Sequence, residues 1–287
     1  MKIIFYIFSI YPLKLAFSVC DGVFKFLPLR ILRALTPFRV TRKNLSIVFP
    51  NLSSQELDSL AKASYLETLK SFYETLYTWS RSSTKIIYQT KKINNRFLFN
   101  ANTKKDGLII FALHNRSIDF MLRWISSQRA HTSLYKKIKS KPINRFVKKL
   151  REEGDCKMVE TGIGGVKSIL NSLMNNQMTC MASDQVPANG LGTYSTFFGH
   201  ECYSFALAPK LARKSKKQIL MSYLSYEKDI GHVINFVDPN NEIYNENGVD
   251  VMNLEMENQI KKSPAEYSWE YKKFRKLSKE PKDIYKT

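Results

Sequence analysis

Four short apolar runs separated by helical stretches constrain this chain to a layered α/β fold. The runs cover residues 107–114 (Gly107, LIIFAL, His114), 178–183, 218–225 and 232–238. Each has the length of a strand, and each is too short for a buried helix. SIDFMLRWISS, residues 165–175 and residues 203–214 return apolar side chains at helical spacing between them. Strands that alternate with helices bury their faces as a sheet covered by helices. The expected fold class is therefore α/β: a mixed sheet flanked by helices, preceded by an N-terminal membrane-anchoring helix.

Residues 54–81 read as a long helix, with Leu57, Leu60, Leu66, Leu69, Phe72 and Leu76 at helical spacing and Ser53 or Ser54 as its cap. Residues 250–275 read as two helices divided by Pro264, and residues 276–287 as a frayed tail. The expected organisation is an anchor over residues 1–28, one catalytic-size domain over 29–275, and the tail.

A chain of 287 residues buries roughly three quarters of its unfolded surface, so neither disulfides nor a structural metal are needed for stability. Its four cysteines form no C-x-x-C pair, and its four histidines, spread from His114 to His232, offer no zinc-type pair. A reduced compartment, no metal and no cofactor are the expectations. The formal charge of +20 points to a polyanionic partner. Basic residues gather at 136–141, 148–151, 210–217 and 272–276, with no nucleic-acid-binding module beside them. Nucleic acid is therefore not expected, and charge alone does not choose among an anionic membrane surface, a phosphorylated lipid, an acidic carrier protein and a merely solvated basic surface.

Residues 3–20 are apolar apart from Lys14 and would reach about 27 Å as one helix, just short of a hydrocarbon core. Ten Leu, Ile, Phe and Val side chains favour insertion by roughly 3 to 6 kcal/mol, whereas Lys14 near the centre opposes it by about 3 kcal/mol. Spanning the bilayer and lying in its interface both stay open. No A-x-A site follows the run, which speaks against cleavage. The basic residues Arg30, Arg33, Arg39, Arg42 and Lys43 follow it, which puts the body of the protein on the cytoplasmic side.

His114 closes the first apolar run and Asp119 follows in HNRSID, an H-x-x-x-x-D spacing. Along one continuous helix the two side chains would point about 140° apart. They meet only if His114 lies in the loop and Asp119 in the first helical turn. Asp119 would then accept a hydrogen bond from one ring nitrogen and leave the other as a base toward a hydroxyl. Four histidines, each followed at this distance by an acid at the chain's frequency of 25 in 287, give about 0.35 chance matches. A loop histidine bonded to a capping aspartate is the competing reading. Asn115 and Arg116 add donors beside any anionic substrate.

The strand, the H-x-x-x-x-D spacing and the helix resemble the lysophospholipid-acyltransferase superfamily, and further segments resemble its lipid A late acyltransferase branch. These are Arg42-Lys43-Asn44-Leu45 through Phe49-Pro50 and Ser53, Arg151-x-x-Gly154, Gly164-Gly165-Val166, Ser183-Asp184-Gln185, Phe197-Phe198-Gly199 and Pro264-x-x-Tyr267-x-Trp269. The resemblance implies transfer of a fatty acyl chain from acyl carrier protein to a hydroxyl of a phosphorylated lipid A precursor, at the cytoplasmic face of an anionic inner membrane. It implies His114 as general base, Asp119 as its orienting carboxylate, and Arg151 as holder of oxyanion charge or a substrate phosphate, with a surface arginine closing the basic run 148–151 as the alternative for Arg151. Asp184 and Gln185 would shape the site, with a turn-forming Asp184 before Pro187 as the alternative, and Phe197-Phe198-Gly199 would pack the acyl groove rather than do chemistry, with plain core packing as its default reading. The E-G-T-R segment of the glycerophosphate acyltransferases is absent. Ser204 and Glu270-Tyr271-Lys272-Lys273-Phe274 stand where the branch carries Thr and a basic ending, which bears on the substrate more than on the reaction class. Two other readings stand beside this one: acylation of a lysophospholipid, glycolipid or aminolipid, and an inactive basic protein that binds membranes peripherally.

Overall fold

The computed structural model describes residues 1–101, 106–279 and 283–285. Helices α1 (Lys2–Phe8), α2 (Leu13–Phe26), α3 (Leu29–Ala34), α4 (Thr36–Val48), α5 (Ser54–Ser80) and α6 (Ser83–Gln89) come first, followed by strand β1 (Thr90–Asn94) and helix α7 (Arg96–Ala101). The alternating part is β2 (Leu108–Ala112), α8 (Ile118–Gln128), β3 (His131–Tyr135), α9 (Lys141–Arg151), β4 (Lys157–Glu160), α10 (Ile163–Met174) and β5 (Met178–Ala182). A hairpin of β6 (Gly192–Phe197) and β7 (His200–Phe205) leads to α11 (Leu207–Ser215), β8 (Gln218–Glu227), β9 (Gly231–Val237) and α12 (Gly248–Lys262).

Among the described residues the main sheet has seven strands in the order β1-β9-β8-β2-β5-β3-β4. β2, β5, β8, β3 and β4 are parallel, whereas β9 runs antiparallel to β8 and carries β1 parallel to itself. The sheet is thus mixed and flanked by helices, as the alternation of apolar runs implies. All five residues of β2 are buried, the mark of a central parallel strand covered on both faces. Its pleat sends Ile110 and Ala112 toward the cluster built on α8, and Ile109 and Phe111 toward the larger cluster with α11 and α12. Parallel strands end at one edge, so the loops after β2, β3, β4 and β5 converge there.

α5 starts with a capping box in which Ser53 and Glu56 satisfy each other's backbone donors. Three expectations need correction. The stretch 203–205 is strand, because it pairs with β6 in a hairpin turned by Phe198 (φ 49°) and Gly199 (φ 75°), the left-handed pair that a two-residue turn requires. The second carboxyl-terminal helix does not form. After Pro264 only a short 3-10 turn, Pro264–Glu266, follows α12, and the chain continues inward with Trp269 and Phe274 fully buried. Asn44 of α4 clamps this segment by donating to the carbonyls of Trp269 (2.6 Å) and Tyr271 (2.8 Å). The tail is not frayed at its start, since residues 276–279 bond along β7 through Tyr203 N to Lys276 O (3.0 Å) and Ser278 N to Glu201 O (3.1 Å). Residues 280–282 and 286–287 of that expected tail lie outside the described residues.

The amino terminus is not one eighteen-residue helix either. Pro12 caps α2, and α1 and α2 meet at 51°. Among the described residues no single helix is long and apolar enough to cross a membrane, although this bent pair has the length and composition together. Both helices pack inward on α5 through Phe5, Leu13, Phe17 and Phe24, while Ile3, Ile7, Phe8, Val19, Val23 and Phe26 are exposed.

Candidate active site

At the converging strand ends lies a cavity of about 530 Å³. His114, Arg151 and Gln185 stand at its polar part, and Ile110, Met121, Ile125, Met158 and Met181 line its apolar part. His114 reaches it from the loop after β2, Gln185 from the loop after β5, and Arg151 from the last turn of α9.

The carboxylate bound to His114 is Asp184, not Asp119. Asp184 Oδ1 lies 2.7 Å from His114 Nδ1, and its Oδ2 accepts from the backbone N–H of His114 at 3.1 Å. Nδ1 is thereby occupied, leaving Nε2 of a ring that is 24% exposed for the cavity, with the Gln185 amide nitrogen 3.5 Å from it. Burial opposes a charge on His114, but the Asp184 carboxylate outweighs it and raises the imidazole above its ordinary value. Burial would likewise raise Asp184, yet the imidazole and the hydrogen bonds hold it below the usual carboxylate range.

Asp119 does sit in the first turn of α8, after the Ser117 cap. It faces α9, where Arg151 forks onto it with Nε–Oδ1 at 2.6 Å and Nη2–Oδ2 at 2.9 Å. The guanidinium is thus held bidentately at the cavity wall, the geometry that fixes Arg most rigidly. Arg151 is therefore an inward residue, not the exposed end of a basic run.

Asn115 and Arg116 do not supply donors to the cavity. Asn115 is buried and donates to the Leu224 carbonyl (2.8 Å) and Glu266 (3.3 Å). Arg116 turns to the opposite side, into carboxylates of α5. Neither residue lines the cavity, and Phe197-Phe198-Gly199 does not either: it forms the hairpin turn, with Phe197 against Phe274 and Phe198 against Trp269.

Three side chains around the pair were not indicated by spacing. Tyr267 is fully buried near Asp184, and burial together with that carboxylate raises its phenol well above the ordinary value. Lys273, fully buried, donates Nζ to the Asp184 carbonyl at 2.7 Å, and burial lowers its pKa. Glu270 accepts from Thr68 at 3.0 Å and lies within electrostatic reach of His114; burial raises its pKa. All three come from the segment after Pro264, whose Tyr267 and Trp269 pattern was the available signal.

A histidine with one nitrogen fixed and the other toward a half-apolar cavity, beside a clamped arginine, suits acyl transfer to a hydroxyl. No curated protein matches the chain. The family described as bacterial lipid A biosynthesis acyltransferase does match, over residues 3–276, a span that contains the cavity, the histidine with its carboxylate and the clamped arginine. With nearly the full length aligned to that family, the chain belongs to the bacterial lipid A biosynthesis acyltransferases and is an acyltransferase.

Proposed function

We propose that this acyltransferase moves a fatty acyl chain from the thioester of acyl carrier protein to a hydroxyl of a phosphorylated lipid A precursor, with His114 as general base. The observation that carries this reading is the His114–Asp184 pair at the mouth of a cavity with an apolar interior. Nε2 takes the acceptor's hydroxyl proton as its oxygen attacks the thioester carbonyl carbon. Arg151, held by Asp119, stabilises the resulting oxyanion or a substrate phosphate. The C–S bond then breaks, and the thiolate leaves with the proton returned by the imidazolium. Gln185 positions the group that Nε2 meets. No metal or cofactor enters these steps. The charge of +20 would speed encounter with an acidic carrier and an anionic acceptor.

Purified protein with labelled acyl carrier protein and lipid A precursor tests the reading. One labelled acyl group should appear on the acceptor, and the carrier should outperform the coenzyme A thioester at low concentration. Equal use of both donors would remove the carrier, and transfer to lysophospholipid alone would remove lipid A as the acceptor. Lipid A from cells lacking the gene should lose one acyl mass and regain it on complementation.

The pH dependence of the saturated rate follows from the base. Only neutral imidazole accepts the proton, and His114 titrates above its ordinary 6.5. Turnover should therefore rise with pH through an inflection above 6.5, and an inflection below that value would count against His114 as base.

We also place the enzyme at the cytoplasmic face of the inner membrane, with the outer sides of α1 and α2 in the interface. Each large side chain moved out of water contributes about 1.5 to 3 kcal/mol. Replacing Ile7, Phe8, Val23 and Phe26 with Ser together should weaken binding to anionic vesicles by at least about 100-fold, with the remainder lost at high salt. Unchanged flotation would move the membrane contact elsewhere.

A further inference from the structure

The loop that carries His114 contains a residue in an unusual conformation. Arg116 has φ 59°, the left-handed region that costs a non-glycine residue about 1 to 2 kcal/mol. Its side chain is 1% exposed and every arm is engaged. Nε and Nη2 both donate to Glu74 Oε1 at 2.8 and 2.6 Å, while Nη1 donates to Glu67 and to Glu266 at 3.3 Å. Glu74 is fully buried; burial would raise its pKa, but Arg116 and His232 hold it down at about 2. The neighbouring backbone is fixed by the same residues, with Arg116 N bonded to Glu266 O (3.2 Å) and Ser117 N to Glu74 Oε2 (3.3 Å).

The amino-terminal helix closes this cage. Phe17 of α2 lies 5.3 Å from the guanidinium on one side, and Tyr226 lies 5.1 Å away. Asp21, one turn further along α2, pairs with Lys70 at 2.6 Å, and Lys70 pairs in turn with Glu67 at 2.9 Å. The chain of contacts therefore runs from α2 through Asp21, Lys70, Glu67 and Arg116 to the loop that aims His114. Arg116 itself does not touch the cavity.

We infer that Arg116 is a positioning residue for His114, and that Phe17 and Asp21 make the apolar-faced helix α2 part of the catalytic apparatus as well as an attachment. This rests on the proposed acyl transfer for its kinetic readout, but its geometric content does not. Arg116 fixes the left-handed turn, the turn fixes the His114 ring against Asp184, and α2 supplies the last ionic and aromatic neighbours of the cage.

The test uses the full-length protein in detergent with saturating donor and acceptor. Asp21→Asn and Phe17→Leu should lower kcat by about 10- to 100-fold, the scale of a displacement near 1 Å at a reacting group, with little change in KM. Asp21→Glu should recover most of the rate. Asp21 is 53% exposed, so its variant should fold even where Arg116→Lys does not. Flotation on vesicles should be unchanged in Asp21→Asn, which separates this role from attachment.

The His114 imidazole, followed by NMR titration, gives a second readout that needs no substrate. His114 is faced by Asp184 from the loop after β5, Glu270 from the carboxyl-terminal segment and Arg151 from α9. Loosening it from Asp184 should lower its pKa in Asp21→Asn relative to the wild type. A lowered melting temperature with kcat and His114 titration both unchanged would overturn the inference and make the cluster purely structural. Absence of acyl transfer in the wild type would remove the proposed reaction instead, and the titration would still decide the positioning.

Discussion

His114→Ala should lower acyl transfer by about 10²- to 10⁴-fold, the usual loss when a positioned general base is removed. A sugar-linked or hydroxyacyl hydroxyl is far too weak an acid to attack a thioester unaided. The ring is partly exposed and supports no core cluster, so the variant should keep its thermal unfolding temperature to within a few degrees. Labelled transfer by purified protein, with unfolding followed in parallel, reads both quantities. A folded His114→Ala enzyme near wild-type rate would remove the base assignment and leave family membership standing without a mechanism. Because Asp184 is held below the usual carboxylate range by that imidazole, the variant also strands a buried carboxylate. Its protonation on acidification should make the His114→Ala protein more stable at low pH relative to neutral pH than the wild type is.

The parts of the fold legible in the sequence are those where one side-chain periodicity dominates. β2, β5 and the first half of β8 are largely apolar because they lie centrally and are covered on both faces. α5 shows its start because the capping box is a local pattern. β3 (HTSLY) and β4 (KMVE) carry no such pattern. They lie toward the end of the sheet, are four or five residues long, and β3 buries His131, Thr132 and Ser133, which are satisfied by hydrogen bonds: Ser133 Oγ and Ser126 Oγ to the two His131 ring nitrogens at 2.8 and 2.9 Å, and Ser172 Oγ to Thr132 Oγ1 at 2.9 Å. Burial there follows hydrogen bonding, not hydropathy.

The site divides in the same way. His114 is legible as the polar residue ending an apolar strand. The H-x-x-x-x-D spacing is real, but spacing along one segment reports only partners within that segment. Asp184 reaches His114 across 70 positions because β2 and β5 are adjacent parallel strands whose ends coincide, Ala112 facing Ala182. That pairing is a property of strand order, which no local pattern encodes. Asp119 is drawn to Arg151 because α8 and α9 pack together and a bidentate guanidinium is the stronger partner. Arg116 was unreadable for a related reason: its partners Glu67 and Glu74 lie two helical turns apart on one face of α5, and that face meets the loop only once α5 docks over it.

Asp184→Asn should cost about 10²- to 10⁴-fold in kcat, comparable to loss of the base itself, since removing the carboxylate of such a pair upsets the tautomer without removing the ring. In the native site Oδ1 accepts the Nδ1 proton and leaves Nε2 as acceptor for the substrate hydroxyl. An asparagine still bonds the backbone N–H of His114 through its carbonyl oxygen, and then presents its NH₂ to Nδ1. That arrangement favours the proton on Nε2, the wrong nitrogen. The carboxylate that raises the imidazole pKa is also gone, so the inflection of the remaining activity should move to lower pH. Asp119→Asn behaves differently, because it lacks contact with His114 and acts through Arg151. It should cost about 10- to 100-fold, on the scale of one weakened oxyanion donor, with the inflection in place. The two variants measured across pH separate the carboxylates: a shifted inflection in Asp119→Asn with a fixed one in Asp184→Asn would return the orienting role to Asp119. Lys273→Met adds an independent check on the same geometry. Its Nζ holds the Asp184 carbonyl at 2.7 Å from a fully buried position, so its loss should lower kcat by loosening Asp184 from the His114 ring.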